Sequence, residues 1–272
     1  MIRNVLSIAG SDPSGGAGIQ ADLKTFSAHG VYGMAALTAL TAQNTQGVSA
    51  VHPLPPDFVV EQIRMVFADI RVDAVKIGMI ANARIAEAVA DVLAAYRDCM
   101  IVLDPVMIAK GGAALLDPAA VAALVERLLP LATVLTPNLP EAAALLGVDP
   151  ATDRGAMQAQ AESLLGLGPR AVLVKGGHLG GSESPDILAM ADHAVWLDGD
   201  RLPGANTHGT GCTLSSALAA GLAKGRSFEQ AASTAKSWLA GAIASADRLD
   251  VGSGHGPVHH FHTLWTEEGN AK

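Results

Sequence analysis

Asn206-Thr207-His208-Gly209-Thr210-Gly211-Cys212 runs directly into Thr213-Leu214-Ser215-Ser216-Ala217-Leu218-Ala219-Ala220-Gly221-Leu222-Ala223-Lys224. The second segment is helical in composition. Two glycines one residue apart at its start let several backbone N–H groups converge on one point. The positive end of the helix dipole stands behind them, and together they form an anion hole. The same residues also suit a plainly capped helix start, and Gly and Thr alone do not separate the two.

Upstream, short apolar runs alternate with longer helical patterns. Strands are expected at Asn4–Ala9, Ala35–Ala42, Ala74–Gly78, Met100–Asp104, Thr133–Thr136 and Ala171–Lys175. They are near-continuous hydrophobic runs, as strands buried on both faces are. A helix capped by Asp57 carries Val59, Ile63, Val66, Phe67 and Ile70 at three- and four-residue spacing, and Asp117-Pro118 starts another. Asp-Gly within Ala194–Gly204 signals a hairpin. Such alternation implies an α/β fold with a mostly parallel sheet and helices on both faces. With no linker or repeat in the 272 residues, a single domain over 1–272 is expected.

Ligands of such sheets sit outside the carboxyl ends of the strands. The polar turns there are Gly10-Ser11-Asp12, Gln43-Asn44, Gly78-Met79, Asp104-Pro105, Pro137-Asn138 and Lys175-Gly176-Gly177, enough for one composite site. Gly177–Pro185, glycine-rich and following Lys175, is the expected closing loop.

Two common phosphate-binding devices do not fit. A P-loop needs Gly-Lys, a dipeptide the chain lacks. Gly16-Ala17-Gly18-Ile19-Gln20-Ala21 matches a dinucleotide fingerprint, but no carboxylate lies between Asp22 and Asp57 to bind a ribose. A net charge of −8 argues against a nucleic-acid partner. Two cysteines exclude a disulfide framework or a four-thiolate metal site within one chain. His259, His260 and His262 have no dedicated ligand spacing and read as tail packing. The apolar run Val5 to Ala9 is too short for a signal-peptide core or a membrane span, so no membrane partner and a cytoplasmic location are expected.

Thr207-His208-Gly209-Thr210-Gly211-Cys212 closely resembles the anion-hole signature of ribokinase-like kinases, in its hydroxymethylpyrimidine and phosphomethylpyrimidine kinase form. Ile8 to Thr25, Thr41 to Thr45, Lys76 to Met79, Leu103 to Met107, Thr136 to Glu141 and Val174 to His178 follow in that family's order, and Gly256 to Phe261 is similar to its ending. The resemblance implies a three-layer α/β/α fold and ATP- and Mg²⁺-dependent phosphorylation of 4-amino-5-hydroxymethyl-2-methylpyrimidine and of its monophosphate, by a homodimer.

It also implies roles. Asp22 and Gln43 would read the amino-pyrimidine edge, Gly10 would approach the ring through its backbone, and Met79 and Val106 would wall it. N–H groups of Gly209, Thr210, Gly211 and Cys212 would hold the transferring phosphoryl group, and Lys175 would neutralise its charge. Asn138, Thr207 and Asp104 would sit at the nucleotide, with Glu141 and Asp104 as oxygen ligands toward Mg²⁺. Cys212, at a helix N-terminus, is expected to have a lowered pKa and to serve as the base. A pyridoxal- or pyridoxine-type kinase and a catalytically silent pyrimidine-binding module are the alternatives.

Overall fold

A computed structural model describes residues 1–96, 98–107, 116–204 and 206–265. Among them, eight strands form one sheet in the order β10-β9-β8-β7-β6-β5-β1-β2. β1 (Asn4–Ala9), β2 (Tyr32–Leu37), β5 (Ala74–Ile77), β6 (Met100–Leu103), β7 (Val134–Leu135) and β8 (Ala171–Lys175) run parallel, and β9 (Asp186–Met190) and β10 (Ala194–Leu197) are antiparallel at one edge. The apolar runs become strands because both faces are covered. Leu6 and Ile8 of β1 enter one core cluster, and Val5, on the opposite face of the sheet, enters the other.

The first cluster packs under α2 (Pro56–Asp69), α3 (Ala83–Leu93), α4 (Pro118–Ala123), α5 (Leu139–Leu146) and α6 (Arg154–Leu165). The second packs under α1 (Gly18–Ala28), α7 (Thr210–Ala223) and α8 (Phe228–Ala244). The result is the expected three-layer α/β/α arrangement.

α7 is the segment on which the sequence was first read, and every residue from Thr213 to Ala223 is buried. A helix enclosed on all sides needs small side chains all round, which its Ala, Ser and Gly supply. It lies tight against α8 at Gly221, where a Cβ would be 2.9 Å from the Ala231 Cβ.

Three expectations are corrected. The strand expected over Ala35–Ala42 breaks at Thr38, which is fully buried. Thr38 donates its N–H to the Ala9 carbonyl (3.0 Å) and its hydroxyl to the Met79 carbonyl (2.6 Å). The chain then leaves the main sheet, and β3 (Ala39–Asn44) pairs antiparallel with β4 (Gly47–Pro53) as a separate hairpin. Asn44 closes its turn by accepting the N–H groups of Gln46 and Gly47. Second, the edge hairpin turns at Ala191-Asp192-His193 rather than at Asp198-Gly199, because Asp186–Met190 is itself a strand paired with β8. Third, α2 starts at Pro56 with its N-cap at Pro55, so Asp57 is a first-turn acid rather than the cap. Asp117, by contrast, does cap α4, accepting the Ala120 N–H at 2.7 Å. Gly177–Pro185, the expected closing loop, is gathered around the Arg201 guanidinium, which donates to the carbonyls of Gly177, Leu179, Gly181 and Glu183, and its His178 stands at the strand ends together with Thr41, Gln43 and Val48 of the β3–β4 hairpin.

Overfilling the α7–α8 contact tests this packing. Gly221→Val is expected to lower the free energy of unfolding by about 1–3 kcal/mol, read by urea denaturation.

Candidate active site

A cavity of about 510 Å³ opens at the carboxyl ends of β1, β5, β6 and β8. Gly10 follows β1, Met79 follows β5, Asp104 and Val106 follow β6, and Lys175 ends β8. All line the cavity, as do Asn138 and Glu141 from the start of α5 and Thr207, Gly209, Thr210, Gly211 and Cys212 from the start of α7. Gln43, with Thr41 and Val48, lines it from the hairpin. Every expected site residue but one therefore faces the same space.

The exception is Asp22. Its side chain is fully buried against Lys76, whose Nζ donates to Oδ1 at 2.9 Å and Oδ2 at 3.0 Å. The hydroxyls of Ser7 (2.6 Å) and Ser216 (2.7 Å) complete its partners. A carboxylate so committed does not present an edge to a ligand, and the expectation that Asp22 reads the ring is overturned. The helical pattern of α1 turns Asp22 inward with Ala21, Thr25 and Phe26.

The anion hole takes shape at Gly209. This N-cap is left-handed (φ +79°), and a Cβ there would lie 1.8 Å from the Gly16 carbonyl oxygen. Only glycine fits, and the turn aims the first N–H groups of α7 into the cavity. Asp104 and Lys175 lie over it: a Cβ on Gly211 would be 3.4 Å from Lys175 Nζ and 3.6 Å from Asp104 Oδ2. Opposite, a Cβ on Gly10 would be 2.2 Å from the Met79 methyl, so the Met79 side chain lies flat against that backbone.

Charges are concentrated here. Lys175 Nζ is 2.9 Å from Asp104 Oδ1 and 3.8 Å from Glu141 Oε2. Burial works against the charge of Asp104, but the Lys175 and Lys76 ammonium groups override it and hold its pKa below the usual carboxylate range. For Glu141 burial wins: with Asp104 adding to it, the carboxyl is pushed up to about 7, against Lys175 and two backbone N–H groups. Asn138 and Glu141 also form a reciprocal cap of α5, each accepting the other's N–H at 2.8 Å. Hence the first-turn position of Glu141 and its place in the cavity are one arrangement.

Cys212 does not behave as expected. Burial pushes its thiol up to about 11, with Asp22 and Asp104 adding to the effect and Lys76 and the Gly18 N–H opposing it. The helix N-terminus is outweighed by desolvation and two carboxylates, and the resting group is a neutral thiol.

Two groups were not singled out from the sequence. His208 Nε2 lies 2.7 Å from Asp12 Oδ2 and 3.2 Å from the Gln43 side-chain amide. Asp12, held at about 2 despite burial by His208 and Ser14, also accepts the Gly16 and Ala17 N–H groups. It thereby fixes the loop on which Gly209 rests. Both residues lie within motifs already noted, but nothing in their spacing, 196 positions apart, signals the pair. Lys76 is the other, and a lysine inside an apolar strand reads as a strand residue. The tail packs on the same loop: His208 donates its N–H to the Gly256 carbonyl, and His260 Nε2 is 3.1 Å from the Thr213 hydroxyl.

Among the described residues no group of three or more His, Cys, Asp or Glu is arranged to hold a metal. Mg²⁺ shared with phosphates needs only one or two carboxylates, since it keeps several waters. Asp104 and Glu141 fit that need, and Glu141, whose burial outweighs the Lys175 ammonium 3.8 Å away, would ionise more easily beside a second cation.

A family model described as phosphomethylpyrimidine kinase matches residues 12–259. The chain belongs to that family. A hydroxymethylpyrimidine/phosphomethylpyrimidine kinase of Escherichia coli is 54% identical over 262 residues, 96% of this chain and 98% of that protein. The fold agrees: a phosphomethylpyrimidine kinase structure from Clostridium difficile is 44% identical with a TM-score of 0.79, covering 89% of this chain and 99% of that one. A Staphylococcus aureus pyridoxal kinase, in complex with AMP-PCP and pyridoxal, is 36% identical with a TM-score of 0.88, covering 97% and 95%. The family shares a ribokinase-like kinase fold with these neighbours.

Glu141 offers a test by pH. A carboxyl whose folded pKa lies above its unfolded value destabilises the fold once pH exceeds the unfolded pKa, and the loss is complete above the folded one. Metal-free Glu141→Gln is therefore expected to be more stable than the parent by about 1–3 kcal/mol at pH 8, with the gain shrinking toward pH 5, read by thermal melts at both values.

Proposed function

We propose that this chain, as one kinase domain over 1–272, transfers the γ-phosphoryl group of ATP to the hydroxymethyl oxygen of 4-amino-5-hydroxymethyl-2-methylpyrimidine. A second transfer goes to the phosphate of that product. The observation that carries the proposal is the left-handed Gly209 start of α7 under Lys175 and Asp104, in one cavity with Gln43, Met79 and Val106.

In this reading Gln43 reads the amino-pyrimidine edge, Met79 and Val106 cover the ring faces, and the flat Gly10 backbone lets the ring approach. The alcohol oxygen bonds to phosphorus as the bond from that phosphorus to ADP breaks, ADP leaving with the electron pair, and the alcohol proton is lost to solvent. Charge on the moving group is met by the N–H groups of Gly209 through Cys212 and by Lys175. Asn138 and Thr207 hold the nucleotide phosphates. Asp104 and Glu141 would hold Mg²⁺, which when bound neutralises charge on the phosphates. Asp22 is left out of the substrate set, and Cys212 contributes its N–H and a neutral thiol rather than a resting thiolate.

A cytoplasmic location is part of the same proposal; it is supported by the absence, among the described residues, of any helix long and apolar enough to cross a membrane. So is a homodimer, supported by Leu40 and Val51 exposed on the hairpin and Phe58 and Met65 exposed on α2. The net charge of −8 favours a small-molecule partner over nucleic acid. A pyridoxal-type reading has the pyridoxal kinase neighbours behind it, but the family match and the higher identities favour the pyrimidine.

Phosphorus NMR of the protein with Mg-ATP and the pyrimidine is expected to show the monophosphate and then the diphosphate. Transfer to pyridoxal alone moves the substrate, and transfer to neither contradicts the kinase. In steady-state assays Lys175→Ala is expected to lower kcat by about a hundredfold or more. Cys212→Ala, which keeps the N–H, is expected to lower kcat by about tenfold or less, below the range of a general base. A larger loss would restore the base role.

A further inference from the structure

Lys76 has no side-chain exposure, and neither has Asp22. A buried ion pair is a weak way to stabilise a fold, since a matched apolar pair does as well or better. β5 contributes Val75 and Ile77 to one core cluster and Ala74 to the other, so an apolar residue at 76 would serve the sheet equally well. The placement of the pair suggests another role. Asp22 accepts from Ser216, one helical turn beyond Cys212, and from Ser7 on β1. The neighbouring Ser215 donates to Asp104 Oδ2 at 3.2 Å, and Asp104 is paired with Lys175. The second turn of α7 is therefore clamped between two ammonium–carboxylate pairs, one in the cavity and one in the dry core. Lys76 Nζ also presses on the turn after β5: a Cβ on Gly78, the residue before the cavity-lining Met79, would lie 2.7 Å from it.

We propose that the Asp22–Lys76 pair is a positioning element for phosphoryl transfer, setting through Ser216 where Gly211 and Cys212 stand against Lys175 and Asp104. It touches no substrate and acts through α7. The inference rests on reading the cavity as a phosphoryl-transfer site. The charged groups acting on the Cys212 thiol are Lys76 and Asp22 from the core side and Asp104 and Lys175 from the cavity side. Lys76 lowers and Asp22 raises the proton affinity of the thiol, the Lys76 effect being the larger, so a thiol that loses both is less easily ionised.

The test is the matched apolar replacement Asp22→Leu/Lys76→Met, which removes both charges together and leaves neither orphaned. The variant is expected to fold and to melt near the wild-type temperature, the gain from removing two buried charges being offset by the Ser7 and Ser216 hydroxyls that lose their acceptor. Its kcat is expected to fall by about ten- to a hundredfold, while KM for both substrates stays within about threefold. Alkylation of Cys212 by iodoacetamide at fixed pH, mapped by mass spectrometry to separate it from Cys99, is expected to slow severalfold. A folded variant whose kcat and alkylation rate both stay within about twofold of wild type overturns the proposal. If the double variant does not fold, Ser216→Ala decides: lower kcat at unchanged KM supports the positioning role, and unchanged kcat overturns it. Wild type assayed alongside keeps the two readings apart. Failure of wild type to phosphorylate the pyrimidine counts against the substrate reading, and the alkylation rates still judge the pair.

Discussion

A helix buried along nearly its whole length brings its N-terminal end to a cavity, and the chemistry of this protein follows from where that end points. α7 is enclosed from Thr213 to Ala223, while the residues that carry its first N–H groups, Thr210 to Cys212, are only half-buried. They open into the cavity, where an anion is the natural partner. The left-handed turn at Gly209 aims them, and the Gly16 carbonyl pressed against it leaves no room for a side chain. Loop 12–17 supplies that carbonyl and is held in turn by Asp12 and His208.

Once an anion site is fixed at that point, the surrounding charges make physical sense as a set. Lys175 and Asp104 pair over Gly211, and Glu141 stands beside them partly starved of countercharge. This is an arrangement that gains when a cation and phosphates enter together. Cys212, half-buried at the cavity wall between two carboxylates, stays neutral until something changes its surroundings. The helix dipole alone is too small an effect to reverse that burial.

Much of this was legible in the chain. The strands buried on both faces announced themselves as apolar runs, and their polar ends marked the cavity because open parallel sheets bind at their carboxyl ends. What was hidden had physical causes. Thr38 looks like any strand residue, and only its bonds to Ala9 and Met79 show why the chain leaves the sheet there. Asp198-Gly199 carries turn chemistry, but the pairing of β9 with β8 puts the turn a few residues earlier. Asp22 sits in a motif that points to ligand contact. Whether a helical acid faces the cavity or the core depends on a lysine 54 positions away, which no local pattern reveals. The same holds for the Cys212 thiol, whose proton affinity is decided by neighbours drawn from three other elements.

The most direct measurement is of the α7 amides themselves. In ¹⁵N-labelled protein, adding Mg-ADP with aluminium fluoride and the pyrimidine mimics the moving phosphoryl group. The account predicts large downfield shifts of the Gly209, Thr210, Gly211 and Cys212 amide protons, with Gly221 at the far end of the helix unmoved. Shifts confined to residues elsewhere, with these four amides unchanged, would contradict the claim that the start of α7 is the phosphoryl site.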